Sequence, residues 1–120
     1  MARISFITHK DKRILLEDFT WLKPDGEFYQ TLAEAKRTIH AEPEKSVLAL
    51  FDATGATFDQ EVINAVKDFT VSNAPYVKAA AVVGITGLLK IALLAVKTFS
   101  GRDFKTFDTR EAALEWLAAQ

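Results

Sequence analysis

Two short runs of almost uninterrupted apolar residues constrain the fold of this chain more than any other feature. The runs cover residues 46–52 and 79–85, and runs of this kind are typical of strands that a sheet buries on both faces. Between them, apolar residues recur at helical spacing, at Val62, Ile63, Val66 and Phe69. Buried strands that alternate with amphipathic helices predict an α/β domain whose parallel strands are joined by right-handed crossovers.

The flanking segments extend this alternation to the whole chain. Residues 3–8 and 13–17 enclose a polar turn and predict an N-terminal β-hairpin. The remaining patterns predict a strand at 104–107 and helices at 27–41, from Asp59, at 87–99 and after Thr109. We therefore expect one domain over 1–120, with a hairpin followed by βαβ units, and a mixed, mostly parallel five-stranded sheet with four helices.

Composition and charge argue against several classes of partner. The chain has 15 basic and 16 acidic residues and a net charge of −1, so no field of one sign favours nucleic acid or an anionic membrane surface. The apolar stretch 79–96 is short for a bilayer span and contains Lys90, so we expect no transmembrane helix. With no cysteine and no signal-peptide pattern at the start, we expect a cytoplasmic protein.

Motifs for catalysis or cofactor binding are not apparent in the sequence. The two histidines, His9 and His40, do not form a pair at metal-ligand spacing. There is no Gly-x-Ser-x-Gly elbow and no glycine-rich phosphate loop after the first strand. We therefore predict no enzyme activity, no metal and no cofactor. An enzyme that uses Asp52, Asp59 or a histidine in a strand-end cleft is a third interpretation.

The loop after the first buried strand is the candidate ligand or partner site. Open α/β sheets bind ligands at the carboxyl ends of their strands, and a helix N-terminus there favours an anion. The candidate residues of this loop are Asp52, Thr54, Gly55, Thr57 and Asp59. The alternative is structural: Asp59 caps its helix and Asp52 stabilises the turn.

The helix predicted at 87–99 has almost no polar face. Its candidate interface residues are Leu88, Leu89, Ile91, Leu93 and Leu94, together with Lys90 and Lys97, which lie seven residues apart on one face. Burial against a sheet accounts for one stripe of such a helix only. We expect the rest to form a homo-oligomer interface, with a dimer favoured. A protein partner, an apolar small-molecule pocket and a helix packed wholly in the core are the alternatives.

Several segments resemble the SpoIIAA-like group of small bacterial proteins, within the wider STAS and CRAL-TRIO-like folds. They are the opening hairpin, Val47–Asp52, Ala81–Gly84 and, closest of all, Phe104–Leu117. The resemblance implies a regulatory or protein-interaction module without enzyme activity. The CRAL-TRIO-like relationship implies, as the alternative, a binder of a small apolar or lipid-like ligand.

STAS-type anti-sigma antagonists carry an Asp-Ser-x-Gly motif whose serine is phosphorylated as a switch. Here the matching helix start reads Asp59-Gln60-Glu61-Val62, without serine or glycine. A second register, Asp52-Ala53-Thr54-Gly55, has alanine in place of the serine. The sequence therefore does not favour the phosphoswitch, and Thr54 and Thr57 are hydroxyl candidates only.

Overall fold

The N-terminal hairpin forms as predicted. In the computed structural model, which describes residues 2–85 and 104–120, strands β1 (Ile4–His9) and β2 (Lys12–Asp18) pair antiparallel. Lys10 and Asp11 connect them with φ angles of 49° and 66°. Two successive positive φ values give a tight turn whose twist matches that of the strands.

The alternation of helices and strands is also confirmed over the described ranges. After the hairpin come α1 (Gly26–His40), β3 (Val47–Asp52), α2 (Gln60–Asn73), a short 3₁₀ helix (Ala74–Tyr76), β4 (Val77–Val83), β5 (Phe104–Phe107) and α3 (Arg110–Ala118). The predicted number of four helices is met only in part. Three α-helices lie in residues 2–85 and 104–120, and the helix predicted at 87–99 falls outside the described residues.

The five strands form one mixed, mostly parallel sheet, as expected. Their order is β1-β2-β3-β4-β5, and every pair after the hairpin is parallel. Right-handed crossovers that always step in the same direction place their helices on the same face of a sheet. The helices α1 and α2 accordingly pack against each other.

The core has two layers, one on each face of the sheet. On the first face, α1 buries Phe28, Leu32, Ala35 and Ile39, and α2 buries Val62, Ile63 and Val66, against the apolar side chains of the strands. On the opposite face, Ala113 and Leu117 of α3 pack against Ile14, Leu50 and Ala81. The central strand β3 is buried at all six positions, which explains its continuous apolar run.

The second buried strand was placed two residues too late. It covers Val77–Val83 rather than 79–85, because the backbone turns at Gly84, where φ is 77°. The exposed Lys78 belongs to β4. It interrupts the apolar run within the strand, so the strand begins before the uninterrupted part of that run. No helix of the described residues is long and apolar enough to cross a lipid bilayer.

Candidate functional site at the carboxyl edge of the sheet

Two aspartates end neighbouring parallel strands at the same edge of the sheet. Asp18 is the last residue of β2 and Asp52 the last of β3, and they are partners in the strand register. The side chain of Asp52 is only 5% exposed, and that of Asp18 is 30% exposed. A buried carboxylate needs hydrogen-bond donors and a countercharge, and this edge supplies both.

Each aspartate closes a turn of the same design. Asp18 Oδ1 accepts from Thr20 N at 3.0 Å and from Thr20 Oγ1 at 2.6 Å. Asp52 Oδ1 accepts from Thr54 N at 3.0 Å and from Thr54 Oγ1 at 2.7 Å. In each case the residue after the threonine has a positive φ, 63° at Trp21 and 71° at Gly55. The chain thus repeats an Asp-x-Thr turn at two adjacent strand ends; we call Asp18–Trp21 and Asp52–Gly55 the twin turns.

Arg110 ties both aspartates to the C-terminal helix. It is the first residue of α3, behind Thr109, whose Oγ1 accepts from Ala112 N at 3.2 Å as the N-cap. Arg110 Nε donates to Asp52 Oδ2, and Arg110 Nη2 lies 3.5 Å from Asp18 Oδ1. A capped helix start therefore positions one guanidinium between two strand ends.

Arg3 holds the first twin turn from the other side. Its Nη1 donates to the carbonyl oxygens of Asp18 at 3.2 Å and Thr20 at 3.1 Å, and it lies 3.7 Å from Asp18 Oδ1. Its Nε donates to Glu27 Oε2 at 3.3 Å. The cationic and anionic groups of this edge are therefore engaged with one another.

These contacts favour the charged forms of Asp18 and Arg110. Burial raises the pKa of Asp18, but the hydrogen bonds from Thr20 and the charges of Arg110 and Arg3 outweigh it and hold that pKa below its ordinary value. Burial likewise lowers the pKa of Arg110, and the contacts with Asp52 and Asp18 outweigh it, so that pKa is raised. Groups whose pKa values move away from neutrality are poorly suited to general acid–base catalysis.

Among residues 2–85 and 104–120, Trp21 is the most exposed large apolar side chain. Its side chain lies against Gly55: a Cβ on that glycine would stand 2.2 Å from Trp21 Cε3. Trp21 N donates to Thr54 O at 2.9 Å, which joins the twin turns through the backbone. The residue is nevertheless 73% exposed. An indole is thus held in a defined position while most of its surface faces solvent.

Comparison with known proteins settles the family. The SpoIIAA-like family model matches residues 6–118. The chain belongs to the SpoIIAA-like family. A search of curated proteins gave no match. The fold is similar to that of an uncharacterised protein with a SpoIIAA-like fold from Shewanella loihica PV-4, with a TM-score of 0.72 and 19% identity over 95% of this chain and 91% of the other.

The SpoIIAA-like fold brings only part of the predicted loop into this cluster. Asp52, Thr54 and Gly55 form the second twin turn. Asp59 instead caps α2 by accepting from Val62 N at 2.8 Å, as the structural alternative predicted. Thr57 N donates to Leu22 O at 2.9 Å and so fastens the connector between β2 and α1.

Five residues of the cluster were not predicted as site residues from the sequence. They are Arg3, Asp18, Thr20, Trp21 and Arg110. A repeated Asp-x-Thr next to two predicted strands was a usable signal for Asp18 and Thr20. Arg110 had no local signal, since it lies 58 positions from Asp52.

The predicted interface residues of this SpoIIAA-like domain, Leu88, Leu89, Lys90, Ile91, Leu93, Leu94 and Lys97, lie outside the described residues. Both histidines have polar neighbours: His9 Nε2 is 3.0 Å from Glu115 Oε1, and His40 Nε2 is 3.1 Å from Asn73 Oδ1. Within residues 2–85 and 104–120, no group of three or more histidine, aspartate and glutamate side chains is placed to hold a metal ion.

A small cavity lies on the first face of the sheet, under α2. Its volume is about 40 Å³, and its lining is mostly apolar, including Phe51, Val66 and Phe104. Glu17, Thr70 and Asn73 add polar groups to the lining. Pockets for drug-sized ligands are roughly 300–1,000 Å³, so this cavity is too small for such a ligand.

Proposed function

We propose that this SpoIIAA-like domain is a non-enzymatic, STAS-like interaction module that associates with a second copy of itself through residues 87–99. The observation that carries this proposal is the apolar run from Leu88 to Val96, in which Lys90 is the only charged residue. A helix that is apolar nearly all round needs cover on more than one side. A domain of 120 residues offers one sheet face to such a helix.

The carboxyl edge of the sheet supports binding rather than catalysis. Arg110 pairs with both Asp18 and Asp52, and the pKa of Asp18 is lowered while that of Arg110 is raised. A catalytic acid or base works best with a pKa near the working pH. The edge therefore suits a rigid binding surface, and an enzyme in a strand-end cleft becomes the weaker interpretation.

Sedimentation velocity at micromolar concentration tests the self-association. We expect a dimer for the unaltered chain and a folded monomer for Leu89→Glu and Leu93→Glu, because a carboxylate in an apolar interface is costly to desolvate. The matched control is Val71→Glu, an exposed apolar residue of α2, which should leave the dimer intact. A monomeric unaltered chain contradicts the proposal. Unfolding of both Leu→Glu variants, seen by circular dichroism, would show that these residues belong to the core.

Binding of a small apolar or lipid-like ligand is the alternative function. The pocket predicted for it, near residues 87–99, lies outside the described residues. The cavity under α2 is also mostly apolar, but its volume of about 40 Å³ is below that of ordinary ligand sites. Native mass spectrometry of the purified chain distinguishes the two functions. A mass that exceeds the chain or its dimer by one lipid-sized adduct supports the alternative, and an adduct-free dimer supports self-association.

The cytoplasmic location is part of the same proposal. A regulatory module without cysteines suits a reducing compartment. Fractionation of cells that express the tagged chain checks this location.

A further inference from the structure

The twin turns differ at the one position where the backbone favours glycine. Gly55 occupies the positive-φ position of the second turn, whereas the first turn has Trp21 there, with φ 63°. A left-handed conformation is uncommon for bulky side chains, and glycine adopts it without a steric penalty. The turn itself therefore gives no reason for a tryptophan.

Folding of the domain does not explain this tryptophan either. Trp21 is 73% exposed, so it contributes little to either core layer. Its contact with Gly55 holds the indole against the surface. Two hydrogen bonds fix the neighbouring backbone: Arg3 Nη1 donates to Thr20 O, and Trp21 N donates to Thr54 O. A strained residue that presents a large, immobilised apolar side chain to solvent is typical of a contact site.

We infer that Trp21 is an anchor residue of the interface between two copies of this chain. The inference rests on the proposed self-association and extends its interface from residues 87–99 to the carboxyl edge of the sheet. Trp is among the residues that most often dominate the energy of protein interfaces.

The described residues that lead into the segment proposed for self-association lie close to Trp21. The chain leaves β4 at Gly84 beside the second twin turn: a Cβ on Gly84 would lie 2.6 Å from Thr54 Cα. Gly55, the next residue after Thr54, lies against Trp21. Residue 87, where the segment proposed for self-association begins, follows Ile85 by two positions in the chain.

The charges of this edge suit a second copy better than a strongly charged partner. Arg110 pairs with Asp18 and Asp52, and Arg3 pairs with Asp18 and Glu27. In the dimer inferred here, two such edges would meet without a large excess of like charge, and like-charge contacts are what penalise wrong pairings. The net charge of −1 also gives little repulsion between two chains.

Equilibrium sedimentation of Trp21→Gly tests the inference. Glycine suits the backbone at this position, so we expect an unchanged circular dichroism spectrum together with a dissociation constant raised at least about tenfold, the size of effect expected for an interface anchor. Trp21→Asn is the second variant, because Asn also tolerates positive φ; it keeps the test valid if the glycine variant fails to fold. Tyr29→Ala is the matched control, since it removes an exposed aromatic side chain from α1 and should leave the dissociation constant unchanged.

The outcomes separate this inference from the function on which it rests. If the unaltered chain is monomeric, self-association itself is wrong. If the chain dimerises, Leu89→Glu dissociates it and neither Trp21 variant weakens it, then the proposed function stands and the role of Trp21 is wrong. As a second readout, Trp116→Phe leaves Trp21 as the sole tryptophan, and its emission should shift to longer wavelength on dilution through the dissociation range. No shift across that range counts against an indole at the interface.

Discussion

The twin turns have the same hydrogen bonds but occupy different environments. In both, an aspartate Oδ1 accepts from the N–H and the hydroxyl of the threonine two residues on. The carboxylate of Asp52 is 5% exposed, at the end of a central strand, while that of Asp18 is 30% exposed. The same hydrogen bonds should therefore contribute more to the stability of the fold at Asp52 than at Asp18, because the carboxylate of Asp52 is more fully desolvated.

Replacement of the two aspartates gives the largest expected difference. Asp52→Ala leaves Thr54 without its acceptor and Arg110 without its closest countercharge, and we expect a loss of about 3 kcal/mol in the free energy of unfolding. Asp18→Ala, at the more exposed site, should cost about 1 kcal/mol. Urea denaturation followed by circular dichroism measures both. Equal losses for the two variants would contradict the comparison.

The glycine of the second turn gives the next largest effect. Gly55→Ala places a Cβ against Trp21 at 2.2 Å and forces alanine to a φ of 71°. We expect a cost of about 2 kcal/mol, of which the backbone accounts for about 1 kcal/mol. In a Trp21→Gly background the steric part should disappear, so the thermal unfolding of the single and double variants should show a coupling of about 1 kcal/mol. Additive effects would mean that the indole moves aside freely.

The pH dependence of stability is the smallest expected effect. Because its folded-state pKa lies below the ordinary value of 3.8, Asp18 stabilises the fold above that value and loses this contribution as the pH falls through the folded pKa. We expect Asp18→Asn to flatten the fall in unfolding free energy below about pH 4, by under about 1 kcal/mol because the site is part-exposed. Denaturant titrations of both proteins from pH 6 to pH 2.5 check this. If the unfolding free energies of the two proteins fall in parallel as the pH is lowered, the acid sensitivity comes from groups other than Asp18.

Much of the fold follows from patterns that act over a few residues. The helix predicted at 27–41 forms as α1 and buries the stripe Phe28, Leu32, Ala35 and Ile39, and Asp59 caps α2. These signals are reliable because hydrogen bonds and side-chain faces within a helix depend on near neighbours. The start of β4 was misplaced because its second residue, Lys78, is exposed and broke the apolar pattern.

The candidate site was predicted only where it is local. The loop at Asp52–Gly55 was predicted as a site, but the predicted hairpin ended at residue 17 and its counterpart at Asp18–Trp21 had no predicted role. Arg110 was missed because its role depends on which strand end α3 meets, and helix-capping patterns do not contain that information. The burial of Glu17 and Asn73, which line the cavity under α2, was not predicted either, because it depends on how the elements pack and not on the local sequence.

The sequence by itself determined the class of the domain, the alternation of its elements, its hairpin and the helix cap at Asp59, because these depend on periodicity and short-range hydrogen bonding. The tertiary structure decided that Asp18 and Asp52 lie side by side, that Arg110 reaches both across 58 positions of sequence from Asp52, and that Gly55 makes room for an exposed Trp21. Such contacts depend on strand order and register, which link residues far apart in the chain.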